Sequence, residues 1–596
     1  MEKIYSFYEN RMKDCSDKVA ELKKRIHITG TIRLLLFVGM CGTVYAVSDM
    51  AWQIIAGAIA LFVIPFIALM VYHTKLFNKK LYAETMSVLC ENELKALNYD
   101  FAAFDGMKEK LHDEHSFSLD LDLFGERSFV QSINRTITYT GSERLAEWLQ
   151  TPLTDKTEII KRQKAVAELA SLTDLRQHFI VSGSMVEEKE DSRKKLANLS
   201  DAPVYFSEST LWKILIWVFP VVWAILIALT ITELVPLTFV STGIIVSIIV
   251  AYSKAKRTND LHNFVNKLER LFWTYSSLLD IIEKAKFESD LLKEKQNCFT
   301  GKIPASKAIK ELSRSIGALD QRFSAIGVVL QILGLRDIRS SIRIEKWVNE
   351  NRQNLILWFD TLADFDALCS MGGFAFNHSG YVYPEISDEY FKMEGKQVGH
   401  PLLNRNICVR NDISIAKKPS FLIITGANMA GKSTYLRTVG LNYVIACCGM
   451  PICAESMTVY PANLVTSLRT SDNLMSNESY FFAELKRLKM IIDRLQKGEK
   501  LFIILDEILK GTNSVDKQKG SLALMKQLVN LDTSGIIATH DLMLGSLETE
   551  FPDKIRNYRF EADIRNDELS FSYRLREGIA QNMNACFLMK KMGITV

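Results

Sequence analysis

Four uncharged apolar runs, arranged in two pairs, constrain this chain more than any other feature. Residues 34–48 and 50–72 carry no charged side chain, and neither do 214–232 and 234–252. About 20 apolar residues cross a bilayer core as a helix, so three runs qualify by length. The first needs Arg33 to extend its aliphatic stem back to the interface. Asp49 alone separates the first pair and Glu233 the second, which predicts two tight hairpins. Lys23, Lys24, Arg25 and Arg33 precede the first hairpin; Lys75, Lys79 and Lys80 follow it; Lys254, Lys256 and Arg257 follow the second. Positive flanks face the cytoplasm. The expectation is four transmembrane helices in the cell inner (cytoplasmic) membrane, with the rest of the chain in the cytoplasm. Only Gln53, some hydroxyls, Pro65 and Pro220 interrupt the runs. A transport path needs polar groups facing a cavity, so the pattern favours anchoring over conduction. The first 30 residues are too long and too charged for a signal-peptide n-region, and no A-x-A site follows.

The remaining chain, out of 596 residues, has room for several domains. Its 73 Lys+Arg against 69 Asp+Glu neither imply nor exclude a polyanion partner, since a basic face can hide inside a neutral total. The ten cysteines show no CxxC spacing, and Cys447 and Cys448 read as core of an apolar helix in a reducing compartment. Up to about residue 405 the pattern is helical. Residues 255–296 lack proline and glycine and carry apolar residues at helical spacing, predicting one long amphipathic helix; 306–333 and 341–371 read similarly. There is no internal repeat and no low-complexity tract.

Beyond 405 the pattern becomes strand, loop, helix. Gly426-Ala427-Asn428-Met429-Ala430-Gly431-Lys432-Ser433 fits G-x-x-x-x-G-K-[ST], preceded by the strand-like "SFLIIT" and followed by a helical run. Such a loop wraps phosphate oxygens in backbone N–H groups at a helix N-terminus. Lys432 would neutralise the β/γ-phosphates of ATP, and the Ser433 hydroxyl would ligate Mg²⁺. "LFIILDE" (501–507) is an apolar strand ending in two carboxylates: Asp506 for the Mg²⁺ shell, Glu507 as general base. "GIIATHD" is a further buried strand ending at His540, placed to sense the γ-phosphate.

"TGANMAGKSTYLR", "TSDNLMSNESYFFAEL", "LDEILKGTNSVD" and "ATHD" resemble, in order and spacing, the ATPase domain of the MutS family of DNA mismatch repair proteins. Residues 121–169 are similar to the start of that family's core, or lever, domain, and "LADFDALCSMGGFAFNHSGYVYPEI" with "VGHPLL" to its end. The resemblance implies catalytic roles for Glu507, Lys432 and His540, and a phosphate-binding loop that includes Thr434. It also implies that Ser479 reaches the nucleotide of a partner subunit, hence a homodimer with composite sites. Asn477 and Leu509 stand where the family usually has glycine, and Cys408 where an adenine-stacking aromatic is often found. Phe7-Tyr8-Glu9 matches the family's wedge motif, but only about 25 residues separate it from the first apolar run, so it reads as part of an amphipathic helix.

The expected architecture is an α/β ABC-type P-loop ATPase domain at the C-terminus, preceded by an all-α MutS-like core/lever domain and two transmembrane helical hairpins. The expected segments are a cytosolic 1–30, a hairpin at 31–73, core at 74–210, a hairpin at 211–252, long helices completing the core at 253–400, and the ATPase at 401–596. The family's mismatch-reading domain is missing, and the second hairpin stands where a DNA-gripping clamp normally interrupts the core. Two functions fit: a membrane-anchored ATPase coupled to DNA, or an ATP-driven membrane switch or transporter-like protein that does not bind it.

Overall fold

A computed structural model describes residues 2–112, 115–185, 204–265, 268–416, 421–427, 429–469, 480–531, 533–565 and 568–581. The helices Glu2–Ala46 and Trp52–Leu97 form a long antiparallel pair. Its open end is anchored in the protein: Ile4, Tyr8, Met86, Cys90 and Leu97 share a buried cluster with Val181. Tyr8 donates to Asn377 Oδ1 at 2.8 Å, and Phe7 lies edge-on to Phe376, so this stretch packs as an ordinary amphipathic helix. The far end carries the apolar runs, with Leu34, Leu35, Leu61 and Ile64 exposed. The second pair, Thr210–Ile231 and Thr238–Ser253, is tied together by Trp223 Nε1–H donating to Ser247 Oγ at 3.1 Å.

By length and composition three helices can cross a membrane: Glu2–Ala46, the stretch Ile54–Leu97, and Thr210–Ile231. Thr238–Ser253 has 16 residues and qualifies only with Ala255–Val265, which bends 57° away from it. The run 234–252 is shortened because Pro236 has no N–H to continue a helix from the preceding turn, so the helix begins after it. The links between partners are 47–51 and 232–237, longer than the single charges Asp49 and Glu233 suggest.

The helical body is assembled around Arg336–Asn377, a helix of 42 residues and about 63 Å. Against it pack Tyr139–Gln150, Lys156–Ser171 and Ala305–Asp320, and the last packs in turn on Glu269–Lys284. The expected single helix over 255–296 is instead three, Ala255–Val265, Glu269–Lys284 and Asp290–Asn297. Gln296 Nε2 donates to the Ile282 and Ala285 carbonyls at 2.8 Å, folding the chain back at 285–289. Residues 306–333 are likewise interrupted, at 321–324, while 341–371 lies within the long helix. No boundary falls at 30 or 73, since one continuous helix runs through each.

The C-terminal body holds a six-stranded sheet in the order Arg576–Glu577, Ile555–Phe560, Phe421–Gly426, Ser534–Thr539, Leu501–Asp506, Asn463–Ser467. All neighbours run parallel except the first pair. Phe421–Gly426 and Ser534–Thr539 are buried along their whole length, as parallel strands covered on both faces must be. A second, four-stranded sheet includes Glu385–Ile386 and Met393–Val398. Sheet structure therefore starts upstream of the expected boundary at 401, because Met393–Val398 pairs with Asn411–Ile415 and Ser456–Val459.

The two bodies share one apolar core. Leu121 packs against Gly440 of the helix Lys432–Cys447, and Cys448 donates to the Trp148 carbonyl at 3.1 Å. Asp120 accepts from Thr466 Oγ1 at 2.5 Å and from the Arg469 N–H at 2.8 Å. Within the helical body Asp366, fully buried, accepts from the Ile137 N–H and from both the N–H and hydroxyl of Thr138 at 2.8 and 2.7 Å. Replacing it strands those donors, at about 1–3 kcal/mol for each unmet group. Asp366→Ala is expected to lower the urea midpoint of the purified protein clearly. Asp174→Ala, with a side chain 85% exposed, should leave it nearly unchanged.

Candidate active site

The C-terminal ends of the parallel strands deliver Gly426, Asp506 and Thr539 to one crevice, where ligands of open α/β sheets bind. Gly426 has φ +151°, and a Cβ there would lie 2.3 Å from the Phe560 carbonyl oxygen, so only glycine lets the strand turn against its neighbour. Gly431, with φ +106°, starts the helix Lys432–Cys447. Between them Met429 is 80% exposed and Ala427 and Ala430 are buried. Asn428 lies outside the described residues, as do Asn477 and Ser479.

Lys432 is buried, and its ammonium donates to the Gly426 and Ala427 carbonyls at 2.7 and 3.0 Å. Burial lowers its pKa, against the pull of Asp506 and Glu507. Ser433 donates to Asp506 Oδ2 at 2.6 Å. The other oxygen, Oδ1, is buried without a hydrogen-bond partner, and burial raises the Asp506 pKa. A carboxylate oxygen left bare beside a hydroxyl suits a hard divalent cation with oxygen ligands. The residues present therefore fit Mg²⁺.

Glu507 adopts a left-handed backbone, φ +49°, with its N–H bonded to the Ala538 carbonyl at 2.9 Å. His540 Nε2 lies 2.7 Å from Glu507 Oε1. That nitrogen donates to the carboxylate, so the 3.3 Å approach of Lys432 Nζ to it is a contact between two donors. The hydrogen bond from His540 holds the Glu507 pKa down at about 2, against the opposing effect of burial. His540, expected to face the phosphate, therefore engages the carboxylate.

Leu509 has φ +59°, which explains why a glycine suits this position: leucine is strained there. It is retained by burial and by Glu484, which accepts from the Leu509 and Lys510 N–H groups at 2.5 and 3.2 Å. Glu484 gives no isolated signal in the sequence, because its partners are backbone groups 25 and 26 positions away.

A cavity of about 560 Å³ adjoins the loop. Cys408 lines it as expected, but so do Ile407, 74% exposed, and Tyr573, 45% exposed. The Tyr573 ring sits over Gly431, where a Cβ would be 3.1 Å from it. Tyr573 is thus an aromatic at the nucleotide loop supplied from 142 residues downstream, beyond any local motif.

Residues 118–372 match MutS domain III and residues 422–593 match MutS domain V. The chain belongs to the MutS family. It is 31% identical over 235 residues to human MutS protein homolog 4, covering 38% of this chain and 24% of that one. It is 28% identical over 251 residues to the DNA mismatch repair protein MutS of Thermotoga maritima, covering 41% and 31%. A longer match, 25% identical over 515 residues, to MutS of Chlorobium chlorochromatii covers 78% of this chain and 57% of the relative. The chain thus spans about a quarter to just over half the length of these MutS relatives.

In this MutS-family chain the first loop glycine meets backbone directly, with the Phe560 carbonyl where a Cβ would stand. Gly426→Ala forces a shift of the strand end, a strain of about 1–3 kcal/mol. A fluorescent ATP analogue should then bind about tenfold more weakly. Gly380→Ala is the control, with nothing within 4 Å of the added methyl, and should bind the analogue normally.

Proposed function

We propose that this protein is a MutS-type ATPase held in the cytoplasmic membrane by its two hairpins, with its helical and α/β bodies in the cytoplasm. The observation that carries the ATPase reading is the cluster of Lys432, Ser433, Asp506, Glu507 and His540 at one end of the sheet, with Asp506 Oδ1 unpartnered. Gly426–Thr434 wrap the triphosphate, and Lys432 leaves its two loop carbonyls for the β/γ-phosphates. Ser433 and Asp506 would hold Mg²⁺, which would neutralise charge on the phosphate oxygens. Glu507 accepts the proton of the attacking water, and His540 positions it. Tyr573 and Ile407 offer the adenine an apolar seat. Ser479 serves a neighbouring subunit, making the protein a homodimer.

Glu507→Gln should keep ATP binding and slow hydrolysis by ~10²–10⁴. The wild-type carboxylate is ionised above about pH 2. His540→Ala removes the donor that lowers this pKa, which then rises toward the ordinary ~4.3. The acid limb of the ATPase pH profile should therefore move upward in His540→Ala; an unmoved limb would rule out the pairing as functional.

Nucleic acid is the proposed ligand of the helical body. Lys307, Lys310 and Arg314 of one helix meet Arg343 of the long helix around a concavity of about 540 Å³, with Glu311 the one carboxylate in its wall. Lys310 lies 5.0 Å from the ring of Trp273, which is 50% exposed. Cations with an adjacent aromatic suit a phosphate backbone with accessible bases. Binding of duplex or structured DNA should weaken linearly on a log–log salt plot, and Lys310→Ala with Arg314→Ala should flatten the slope by about 2. Salt-independent or absent binding would favour the second reading, a membrane switch that does not bind DNA.

A further inference from the structure

The helix Ala325–Gly334 belongs to neither the ATPase nor the rest of the helical body by composition. From Phe323 to Leu335 the chain reads "FSAIGVVLQILGL", without a charge, between Arg322 and Arg336. Ser324 caps the helix by accepting from the Gly327 N–H at 3.0 Å. Val328, Val329 and Leu330 are 47, 53 and 44% exposed, an apolar face with no covering element among the described residues. Gln331, the one amide in the run, is turned back: its Oε1 accepts from the Asp337 N–H at 2.8 Å. Nothing strongly polar is thus left on the open face.

This helix packs against both Thr210–Ile231 and Thr238–Ser253. Its last residue, Gly334, faces Pro220, whose ring would be 3.8 Å from an added Cβ. Pro220 cannot donate to the Ile216 carbonyl four residues earlier. Arg339 supplies the missing donor, its Nη2 lying 2.6 Å from that oxygen, while its guanidinium lies 5.2 Å from the Trp217 ring. Lys254 lies over Trp212 and Arg257 over Tyr205, each at 5.7 Å. Cations paired with aromatic rings at the root of an apolar hairpin are what a membrane–water interface selects. Ten residues make a helix of about 15 Å, half the ~30 Å hydrocarbon core, too short to span it.

Resting on the membrane reading of the second hairpin, we propose that Ala325–Gly334 is a third membrane-embedded element. It inserts its Val328–Leu330 face among the acyl chains of the cytoplasmic leaflet, with Arg322, Arg336 and Arg339 at headgroup level. Lipid is the occupant because this helix packs on both hairpin helices, whose own apolar side chains are exposed, Ile214, Trp217 and Ile225 on the first and Ile245 and Ile249 on the second. The consequence is mechanical. Arg336–Asn377 is joined to this insertion by one residue, Leu335, which is buried in a cluster with Phe206, Trp212 and Ile216. The long helix therefore has one end seated in the membrane and the other in the body that carries the nucleotide loop.

The test uses the full chain in phosphatidylcholine–phosphatidylglycerol vesicles, with Cys41, Cys298, Cys408 and Cys586 replaced by serine. Nitroxide labels are placed singly at Val329, at Ile225 of the hairpin and at exposed Lys307. Power saturation compares collision with oxygen, which enters lipid, and with a polar nickel chelate, which does not. Val329 and Ile225 should both show an oxygen-to-nickel ratio several-fold above Lys307, with Val328 as a second label to the same end. A lipid signal at Ile225 with a water signal at Val329 and Val328 overturns the insertion and leaves the anchor standing. Low collision with both reagents at Val329 means a protein covers that face, which also overturns it. Water signals at all positions overturn the membrane reading itself.

Discussion

One helix organises this molecule through polar side chains that it buries. Along Arg336–Asn377, Glu345 accepts from three consecutive N–H groups, those of Tyr205, Phe206 and Ser207, at 3.0, 2.9 and 2.7 Å, fixing the chain that enters the second hairpin. Asp364 takes Lys295 at 2.6 Å and also Arg144. Asp366 holds Thr138, whose hydroxyl caps the helix beginning at Tyr139, and Ser370 accepts from the Arg135 N–H at 2.6 Å. Asn377, at the far end, joins Tyr8 to the buried Glu93–Arg135 pair. A buried carboxylate is costly unless its lone pairs are filled, so each of these groups admits one arrangement of its partners. The helix is thereby a single gauge for both hairpins and both halves of the helical body.

The nucleotide loop is joined to that gauge through the rest of the helical body, by packing and by hydrogen bonds. Leu121 against Gly440, Cys448 on the Trp148 carbonyl and Asp120 on the strand Asn463–Ser467 bind the helical body to the helix that starts at the loop and to the sheet edge. A change at Lys432 or Glu507 that moves the helix Lys432–Cys447 must displace these close contacts, since a packed interior does not yield smoothly. In the proposed membrane setting the displacement reaches lipid through Leu335 and the short apolar helix before it.

Much of the site is legible in the sequence because its parts are local. The loop Gly426–Ser433 is a contiguous string whose first glycine answers a steric limit, and the strand ending at Asp506 and Glu507 announces itself by five buried apolar positions followed by two carboxylates. The strand ending before His540 is equally plain, yet its partner is not: Glu507 and His540 meet only because their strands are neighbours in the sheet. Tyr573, Glu484 and the Lys310–Arg343 concavity are illegible for the same reason, each depending on residues far apart in the chain.

The helical stretches show the converse limit. Periodicity and the lack of proline predict helix over 255–296, and helix forms, but it breaks at 285–289, where Gln296 satisfies carbonyls that a continuous helix would have used. By itself the sequence determined the chemistry of each segment: which runs exclude charge, which loop can hold phosphate, which strand carries carboxylates. Those properties follow from side-chain type and near-neighbour spacing. Only the tertiary structure decided which segments meet, that His540 serves Glu507, that Arg339 satisfies the carbonyl freed by Pro220, and that an uncharged decapeptide lies against the second hairpin. Those pairings are long-range, and each is selected by the cost of leaving a buried group unmet.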